Sequence, residues 1–330
     1  MRILAYEFIT GGGMAREPLP ESLRAEGDLM LRALARDLSE LPWLDVTVTR
    51  DARMPPLRLD GVRVLPVEPG SDPLAAYLQA MDRTDAVWPV APETGGTLEA
   101  LARAACRRGR LLVGCRPEAI AVTASKLRTA AALQAAGIPV VPTFGSPEQI
   151  GERAGRWVVK PDDGAGCAGT CLVDTAAAAR AMLSASPRGA RVAQPWIEGE
   201  ALSLSVVVGR RRAEVLCCNR QHVETTEGRL SLRRLEVNAL PPTPDMVALA
   251  QAVARAIPGL EGYVGIDLVA GPGGLTVIEI NPRLTTSFAG LRQALGCNLA
   301  ALVLAQPSRV GSLVPDRGRA VSIGLAAAHG

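Results

Sequence analysis

Two kinds of apolar pattern alternate along the first third of the chain. Short runs rich in Val, Ile and Leu predict strands at residues 3–9, 46–49, 62–66, 86–90 and 111–113. Longer stretches with helical spacing predict helices at residues 21–41, 72–82 and 98–108. Strands that alternate with helices are typical of an open parallel sheet with helical crossovers. We therefore expect an α/β unit over residues 1–118.

The remainder of the chain has more strands and fewer crossovers. The pattern predicts helices at residues 127–136, 176–184, 244–257, 287–295 and 299–304, and a short helix after Ser146-Pro147. It predicts strands at residues 140–141, 156–160, 171–173, 191–195, 202–208 and 213–219. Residues 224–242 are polar and Arg-rich, which predicts a loop, and residues 308–330 are expected to form a closing strand with a loose end.

One predicted hairpin organises the rest of the argument. Apolar runs at residues 264–270 and 275–280 flank a Gly-Pro-Gly-Gly sequence, a pattern typical of two strands joined by a tight turn. A turn centred on this sequence places Asp267 opposite Ile278 or Glu279. Side chains that face each other across strands have Cβ atoms about 4.5–5.5 Å apart.

The hairpin gathers oxygen donors on one face. Glu279 and Asn281 are two residues apart and point to the same side of their strand, beside Asp267. Such donors suit Mg²⁺ held between a protein and the phosphates of a nucleotide. Arg283 follows closely and can reach the same charges. A surface hairpin with scattered charges is the alternative, but acids within otherwise apolar strands disfavour it.

A second motif follows the strand that ends at Lys160. Residues 161–170 contain Gly164, Gly166 and Gly169 between two predicted strands. Small residues expose backbone N–H groups that can surround phosphate oxygens, and Lys160 supplies charge. The loop is not a Walker A sequence, because the final Gly-Lys-Ser/Thr is absent and no helix follows. The alternative is a flexible hairpin without a ligand.

Two segments of the first unit lie where ligands bind in open parallel sheets, after the carboxyl ends of strands. They carry Gly11, Gly12 and Gly13 after the first strand, and Glu93 after the fourth. A simple turn and a helix N-terminus are the respective alternatives. Neither segment has the GxGxxG sequence and following acid of a nicotinamide-dependent dehydrogenase.

Composition excludes several classes of protein. Hydrophobic residues make up 48% and charged residues 21%, which is ordinary for a globular protein. A net charge of +3 with 3% aromatic residues argues against nucleic acid as a partner, and no apolar run approaches the ~18 residues of a membrane span. The first residues predict a strand rather than a signal peptide, so we expect a cytoplasmic protein. The 7 scattered cysteines are expected to be reduced, and 2 histidines make histidine-centred catalysis improbable.

Taken in order, four motifs resemble the ATP-grasp superfamily. They are Ser125-Lys126 before a helix that ends in Gly-Ile-Pro, Val-Val-Lys-Pro with its Gly-rich loop, Gln-Pro-Trp-Ile-Glu-Gly-Glu, and Ile-Asp followed by Glu-Ile-Asn-Pro-Arg. The resemblance covers residues 119–304. It implies an α+β fold with a preceding parallel-sheet domain (1–118), a small lid domain (119–193) and a C-terminal antiparallel-sheet domain (194–330), with ATP between the last two.

The resemblance also implies a role for each matching residue. Lys126 and Lys160 look like the lysines that contact ATP phosphates, and Gly164–Gly169 like the mobile loop above them. Gln194, Trp196 and Ile197 resemble the segment that meets adenine, and Glu200 the acid that accepts the ribose hydroxyls. Asp267, Glu279 and Asn281 look like ligands of Mg²⁺, with Mn²⁺ as a second option, and Arg283 like the residue that stabilises an acyl phosphate. Gly11, Gly12, Gly13, Glu93 and Arg220 are weaker candidates for substrate contact.

The implied chemistry is activation of a carboxylate by ATP followed by attack of an amine. Short motifs, among them Asn219-Arg220-Gln221 and Asn-Pro-Arg-Leu-Thr-Thr-Ser, resemble the tyramine–glutamate ligase branch, which serves methanofuran-type carriers. Glutamate and an aromatic amine (tyramine or tyrosine) are then the expected substrates, and a homodimer is left open. The alternatives are another amino-acid or polyglutamate ligase of the superfamily and a non-catalytic ATP-binding module. The Arg229–Arg234 stretch fits either a substrate with several carboxylates or a solvated segment.

Overall fold

A computed structural model describes residues 1–164, 166–209, 212–305 and 318–325. The first unit is a parallel sheet in the order β3-β2-β1-β4-β5. Its strands are β1 (Arg2–Glu7), β2 (Asp45–Asp51), β3 (Val62–Val67), β4 (Ala86–Val90) and β5 (Leu111–Leu112). Its helices are α1 (Glu21–Ser39), α2 (Pro73–Asp82) and α3 (Thr97–Arg107). The prediction of an open α/β unit is confirmed.

Most of the remaining strands join a second sheet whose pairings are antiparallel. The strand order is β13-β12-β9-β10-β11-β7-β6-β8, and β14 also pairs with β11. The strands are β6 (Trp157–Pro161), β7 (Cys171–Val173), β8 (Arg191–Pro195), β9 (Glu200–Val208), β10 (Ala213–Thr226), β11 (Arg229–Leu240), β12 (Gly262–Gly271), β13 (Gly274–Asn281) and β14 (Val321–Gly324). The helices are α4 (Pro117–Thr123), α5 (Lys126–Ala135), α6 (Ala176–Ser184), α7 (Pro244–Ala256), α8 (Phe288–Leu295) and α9 (Leu299–Leu304).

Alternation along the central strands gives this sheet one apolar and one partly polar face. Leu202, Leu204 and Val206 of β9 are buried in a hydrophobic core that includes residues of α7. Ser203 and Ser205 point to the opposite face, because successive side chains of a strand alternate. The sequence therefore commits one face to packing and leaves the other able to carry polar chemistry.

The two sheets are joined by buried polar contacts as well as by apolar packing. Asp37 of α1 accepts hydrogen bonds from Arg292 Nη1 (2.8 Å) and from the backbone N–H of Leu299 (2.9 Å) at the start of α9. A carboxylate at a helix N-terminus satisfies N–H groups that have no partner within the helix. This contact fixes the first unit against the C-terminal helices.

Several predicted elements differ from the structure. Residues 224–242 are mostly strand, since β10 and β11 form a long hairpin, and the prediction of a loop there was wrong. Polar side chains outnumber apolar ones on these strands because the end of the hairpin near its turn is exposed and most of the rest is only half-buried. Residues 140–141 make one isolated bridge instead of a strand. Of the closing segment, residues 321–324 are strand, while 308–317 and 326–330 lie outside the described residues. In the described part of the chain, every helix is too short or too polar to cross a bilayer.

Candidate active site

The predicted hairpin is formed by β12 and β13, and a bulge sets its register. Near the turn, Leu268 pairs with Val277, but one position further Asp267 pairs with Glu279 and leaves Ile278 as the extra residue. A bulge places two residues of one strand opposite one residue of the other. It therefore resolves the choice between Ile278 and Glu279, and puts the two carboxylates side by side on one face.

Asp267 is held from two sides by amide groups. Asn281 Nδ2 donates to Asp267 Oδ2 over 3.1 Å, and Gln221 Nε2 of β10 donates to Asp267 Oδ1 over 3.1 Å. Desolvation and the nearby charge of Glu279 raise the pKa of Asp267 to about 7. Two neighbouring carboxylates with little water resist double ionisation unless a cation is present.

Lys126 and Lys160 are buried against Glu279. Lys126 Nζ lies 3.6 Å from Glu279 Oε1, and Lys160 Nζ lies 3.9 Å from Glu279 Oε2. Burial lowers the pKa of Lys160, and the positive charge of Lys126 acts in the same direction. The ammonium groups therefore lie in a desolvated crevice, at separations longer than a charged hydrogen bond of about 2.7–2.9 Å.

The Gly-rich loop is attached to the start of α5. Lys126 Nζ donates to the carbonyl oxygen of Gly164 (2.6 Å), and the backbone N–H of Leu127 donates to Asp162 Oδ1 (2.9 Å). Gly166 and Gly169 have φ values of 61° and 67°, which L side chains rarely adopt. The structure thus brings the loop to Lys126, and its role in covering phosphates stays a prediction. Ala165 lies outside the described residues.

Arg283 does not face solvent but pairs with the first unit. Its Nε and Nη2 donate to Glu93 Oε1 and Oε2 over 3.0 and 3.1 Å, and its Nη1 donates to the carbonyl oxygen of Leu284 over 3.1 Å. Asp267 and Glu279 also act on the Arg283 guanidinium through their charges and, with Glu93, raise its pKa. Glu93 therefore lies in the crevice between the units, beside the hairpin residues.

Glu7, at the end of β1, is a second buried acid near Arg283. It accepts hydrogen bonds from the backbone N–H groups of Ile9 (3.1 Å) and Thr10 (2.7 Å) and from the Thr10 hydroxyl (2.6 Å). Burial raises the pKa of Glu7, whereas these hydrogen bonds and the charge of Arg283 oppose the rise. Glu7 fixes the wide helical turn at residues 9–13.

That turn gives a packing reason for its glycines. Gly11, Gly12 and Gly13 are buried, and Gly12 has a φ of 95° with Val67 so close that a Cβ atom would lie 2.6 Å from it. Only glycine fits such a position without displacing its neighbour. The predicted substrate contact of Gly11, Gly12 and Gly13 stays a prediction.

The residues expected to contact adenine lie at the end of β8 and in the segment that follows it. Gln194 is buried and donates to Thr143 Oγ1 over 2.9 Å, while Trp196 stacks under the guanidinium of Arg156 at 5.0 Å. Ile197 is half-buried, close to Gly271 at the end of β12.

Glu200 forms a close hydrogen bond with Arg220, whose other side donates to Glu236 over 3.1 Å. Arg220 is thus hydrogen-bonded to Glu200, the acid that is expected to bind the ribose. Its predicted role in substrate contact stays a prediction.

The donor set fits a divalent cation beside phosphate groups. Two adjacent acids and the amide oxygen of Asn281 are hard ligands of the kind that Mg²⁺ prefers. Burial and the charge of Glu279 raise the pKa of Asp267, and a bound cation would oppose this rise. Two buried lysines stand next to them, where phosphate oxygens would bind. No group of three or more His, Cys, Asp and Glu residues suited to a metal occurs in the described ranges, so an amide oxygen is needed to complete the set.

Comparison with protein families identifies this arrangement. Residues 123–287 match the model of the ATP-grasp domain, and residues 44–120 match that of the pre ATP-grasp 3 domain. The chain belongs to the ATP-grasp family. The resemblance inferred from the four sequence motifs is confirmed.

Two curated relatives of this ATP-grasp protein are tyramine–L-glutamate ligases. The one from Methanocaldococcus jannaschii is 37% identical over 100 residues, which is 30% of this chain and 31% of that protein. The one from Methanocaldococcus fervens is 23% identical over 296 residues, covering 88% of this chain and 89% of the relative. The chain therefore aligns with less than a third of the first relative's length and with nearly all of the second's.

Solved structures share the fold. An ATP-grasp superfamily protein from Archaeoglobus fulgidus has a TM-score of 0.74 at 23% identity, over 98% of this chain and 92% of that one. The L-amino acid ligase of Bacillus licheniformis has a TM-score of 0.64 at 18% identity, over 92% and 73%. A biotin carboxylase domain from Hydrogenobacter thermophilus, in complex with MgADP and bicarbonate, has a TM-score of 0.66 at 17% identity, over 92% and 69%. At these identities the likeness shows the fold alone.

Sequence reasoning missed three residues of this ATP-grasp site. Gln221 holds Asp267, Glu7 stands behind Arg283, and Asp163 accepts a hydrogen bond from the backbone N–H of Gly95 over 3.0 Å. Glu7 carried a signal, since a carboxylate at the end of an apolar strand needs a buried partner. Gln221 and Asp163 carried none, because their roles depend on strand pairing and on contact between distant segments.

Proposed function

We propose that this protein is an ATP-dependent carboxylate–amine ligase that releases ADP and forms an amide through an acyl phosphate. The observation that carries the proposal is the buried cluster of Lys126, Lys160 and Glu279, with Asp267 and Asn281 on the same face and Arg283 beside it. A cluster that collects both phosphate-binding cations and oxygen ligands suits phosphoryl transfer.

The proposed roles of the site residues follow from their charges. Lys126 and Lys160 bind phosphate oxygens, and the loop at Gly164–Gly169 covers them. Asp267, Glu279 and Asn281 would hold Mg²⁺, which would compensate the charge that develops on the phosphoryl oxygens. Arg283, beside these residues, stabilises the same charge. Gln194, Trp196 and Ile197 contact the adenine, and the Glu200 carboxylate accepts hydrogen bonds from the ribose hydroxyls.

The chemistry needs no nucleophile from the protein. A carboxylate oxygen of the substrate attacks the terminal phosphorus of ATP, and ADP leaves. The amine nitrogen then attacks the acyl carbon, phosphate leaves, and the nitrogen loses a proton. Positioning and electrostatic stabilisation supply the catalysis.

We propose L-glutamate as the acid and an aromatic amine, tyramine or tyrosine, as the nucleophile, in the synthesis of a methanofuran- or methylofuran-type cofactor. The support is the match to two tyramine–L-glutamate ligases, one of them along most of the chain. A second ligase reading, in which glutamate or another amino acid is both acid and amine, is favoured by the fold shared with an L-amino acid ligase. A cytoplasmic location, use of Mn²⁺ and a homodimer remain predictions.

The test is ADP release by the purified protein with Mg-ATP and L-glutamate, with tyramine, tyrosine and further glutamate offered as amines in separate reactions. ADP formed with one aromatic amine only, together with the mass of the matching amide, is the expected result. ADP formed with glutamate alone would favour the amino-acid ligase. Tight ATP binding without ADP from any pair would leave a non-catalytic ATP-binding module.

A further inference from the structure

The catalytic arginine of the proposed reaction is held by a residue from the other unit of the protein. Glu93 lies on the segment between β4 and α3, and Arg283 follows β13, 190 positions away in sequence. The side chain of Glu93 is 5% exposed and that of Arg283 is 12% exposed. An ion pair so well buried is strongly coupled, because removing one partner leaves an uncompensated charge.

The geometry of this pair leaves part of the guanidinium available. Glu93 engages the edge formed by Nε and Nη2, and the carbonyl oxygen of Leu284 takes one N–H of Nη1. A guanidinium has five N–H groups in a rigid plane. Within the described ranges, three of them have acceptors, and two remain for an oxyanion. Arg283 can therefore contact a phosphoryl group without giving up Glu93.

The same short segment also reaches the Gly-rich loop. The backbone N–H of Gly95 donates to Asp163 Oδ2 over 3.0 Å, and the Thr94 hydroxyl donates to the carbonyl oxygen of Asp163 over 3.2 Å. Asp163 lies next to Gly164, whose carbonyl oxygen accepts from Lys126 Nζ. One turn of the first unit thus contacts both the arginine and the loop beside the phosphate-binding lysines.

We propose that Glu93 is a positioning residue that fixes the Arg283 guanidinium in the orientation needed to stabilise the transferred phosphoryl group. The inference rests on the proposed ATP chemistry but not on the identity of the amine. It gives the first unit a part in phosphoryl transfer, whatever it contributes to substrate binding. An arginine held in advance stabilises developing charge without reorganisation at the moment of reaction.

The variants separate positioning from simple stabilisation of the fold. Glu93→Gln removes the charge, and Glu93→Asp keeps the charge but shortens the side chain by one methylene group. Glu26→Gln is the matched control, since Glu26 also joins the two units by accepting from the Thr286 hydroxyl over 2.9 Å without contacting Arg283. Melting temperatures identify variants that fold.

The measurement is calorimetric binding of Mg-ADP with and without aluminium fluoride, a mimic of the phosphoryl group in transfer, to the full-length protein. We expect fluoride to tighten binding to the wild type and to Glu26→Gln. In the folded Glu93 variants we expect at least tenfold less tightening, with Mg-ADP affinity within twofold of the wild type. Loss of Mg-ADP affinity in equal measure would show a purely structural role and overturn the proposal. Undiminished tightening in Glu93→Asp, or none in the wild type, would also overturn it.

Turnover gives a second readout once a substrate pair is known. We expect Glu93→Asp to lower kcat by at least tenfold with KM for ATP nearly unchanged, and Glu93→Gln to lower it further. A wild-type protein that turns over no glutamate–amine pair but still tightens with aluminium fluoride would refute the proposed substrates and leave the role of Glu93 supported. A kcat of Glu93→Asp equal to that of the wild type would contradict it.

Discussion

Two clusters of charged side chains lie at the second sheet. They differ in how closely their opposite charges approach one another. In the crevice, Lys126, Lys160 and Glu279 have side chains only 4%, 8% and 15% exposed, yet their charged atoms stay 3.6 and 3.9 Å apart. On the β10–β11 hairpin, Arg220 is 33% exposed and donates to Glu236 over 3.1 Å. Between opposite charges the buried cluster makes the longer contacts, although burial makes unsatisfied charge expensive. Lys126 Nζ also donates to the carbonyl oxygen of Gly164 over 2.6 Å, whereas its separation from the carboxylate stays long.

This difference between the two clusters indicates where a ligand is expected to bind. Arg220, Arg234 and His222 all converge on Glu236, and the charge-assisted contact with Arg220 is the main cause that lowers the pKa of that carboxyl. The carboxylate of Glu236 therefore has its counter-charges on the same hairpin, in Arg220 and Arg234. The crevice cluster instead holds two cations and an acid at distances that phosphate oxygens and a metal ion can bridge. We infer that the crevice is built for a ligand and the hairpin network for support.

The largest effect is expected from Glu279→Gln. Neutralising this residue replaces a charged ligand of the proposed metal by a weaker, neutral one and removes the shared counter-ion of two buried lysines. ADP release should therefore fall by about 1,000-fold or more, since metal-based charge stabilisation supplies several kcal/mol. The matched control is Glu224→Gln on the β10–β11 hairpin, where an exposed acid loses its ion pair with Arg233. Activity of the Glu279 variant comparable to that of the control would remove the metal assignment.

A smaller effect is expected from Lys160→Ala. A hydrogen bond to a charged group contributes about 1.5–3 kcal/mol, so the Kd for Mg-ATP should rise by about 10- to 100-fold. Calorimetric titration measures this directly, with Arg234→Ala as the control from the hairpin network. Unchanged affinity in Lys160→Ala would mean that the Gly-rich loop does not cover phosphates.

The pH dependence of stability should distinguish Asp267 from the acids of the β10–β11 hairpin. Its pKa of about 7 lies above the ordinary value of 3.8, so the folded state binds more protons than the unfolded state between these values. Stability from this group is complete below pH 4 and is lost as pH rises toward 7. Melting curves should therefore show that Asp267→Asn gains relative to the wild type between pH 4 and pH 7, in the absence of Mg²⁺. A difference that does not vary with pH would refute this.

The smallest effect is expected from Arg220→Ala. Its contacts are partly exposed, and Glu200 remains able to accept hydrogen bonds after the arginine is removed. We expect the Kd for Mg-ATP to change by less than about fivefold. A loss as large as that of Lys160→Ala, measured in the same titration, would show that the hairpin network belongs to the binding site and would erase the contrast between the two clusters.

Much of the candidate site could be predicted from local sequence patterns. Three features each extend over about ten residues or fewer, so their geometry follows from the local sequence. They are the Gly-Pro-Gly-Gly turn, the alternation of β12 and β13, and the glycines of the Gly-rich loop. The bulge at Ile278 was beyond such reasoning, because pairing Asp267 with Ile278 satisfied the turn equally well. Only the packing of the sheet decides between the two registers.

Contacts between distant segments were the main omission. The pairing of Glu93 with Arg283 depends on how the two sheets are docked, which no local pattern encodes. Residues 224–242 of the β10–β11 hairpin were assigned to a loop, because polar residues replace apolar alternation where the hairpin meets solvent. Family resemblance supplied roles for many of the matching residues but gave none to Gln221, Glu7 or Asp163.

The central claim is that the spaced charges of Lys126, Lys160 and Glu279 form the place where phosphates and a metal ion bind. A crystal structure of the protein with ADP and Mg²⁺ tests it most directly. The account predicts both lysine Nζ atoms within hydrogen-bond distance of phosphate oxygens, and a metal ion bound by Glu279 and Asn281. A nucleotide bound elsewhere, with the lysines still facing Glu279 at their present distances, would contradict it.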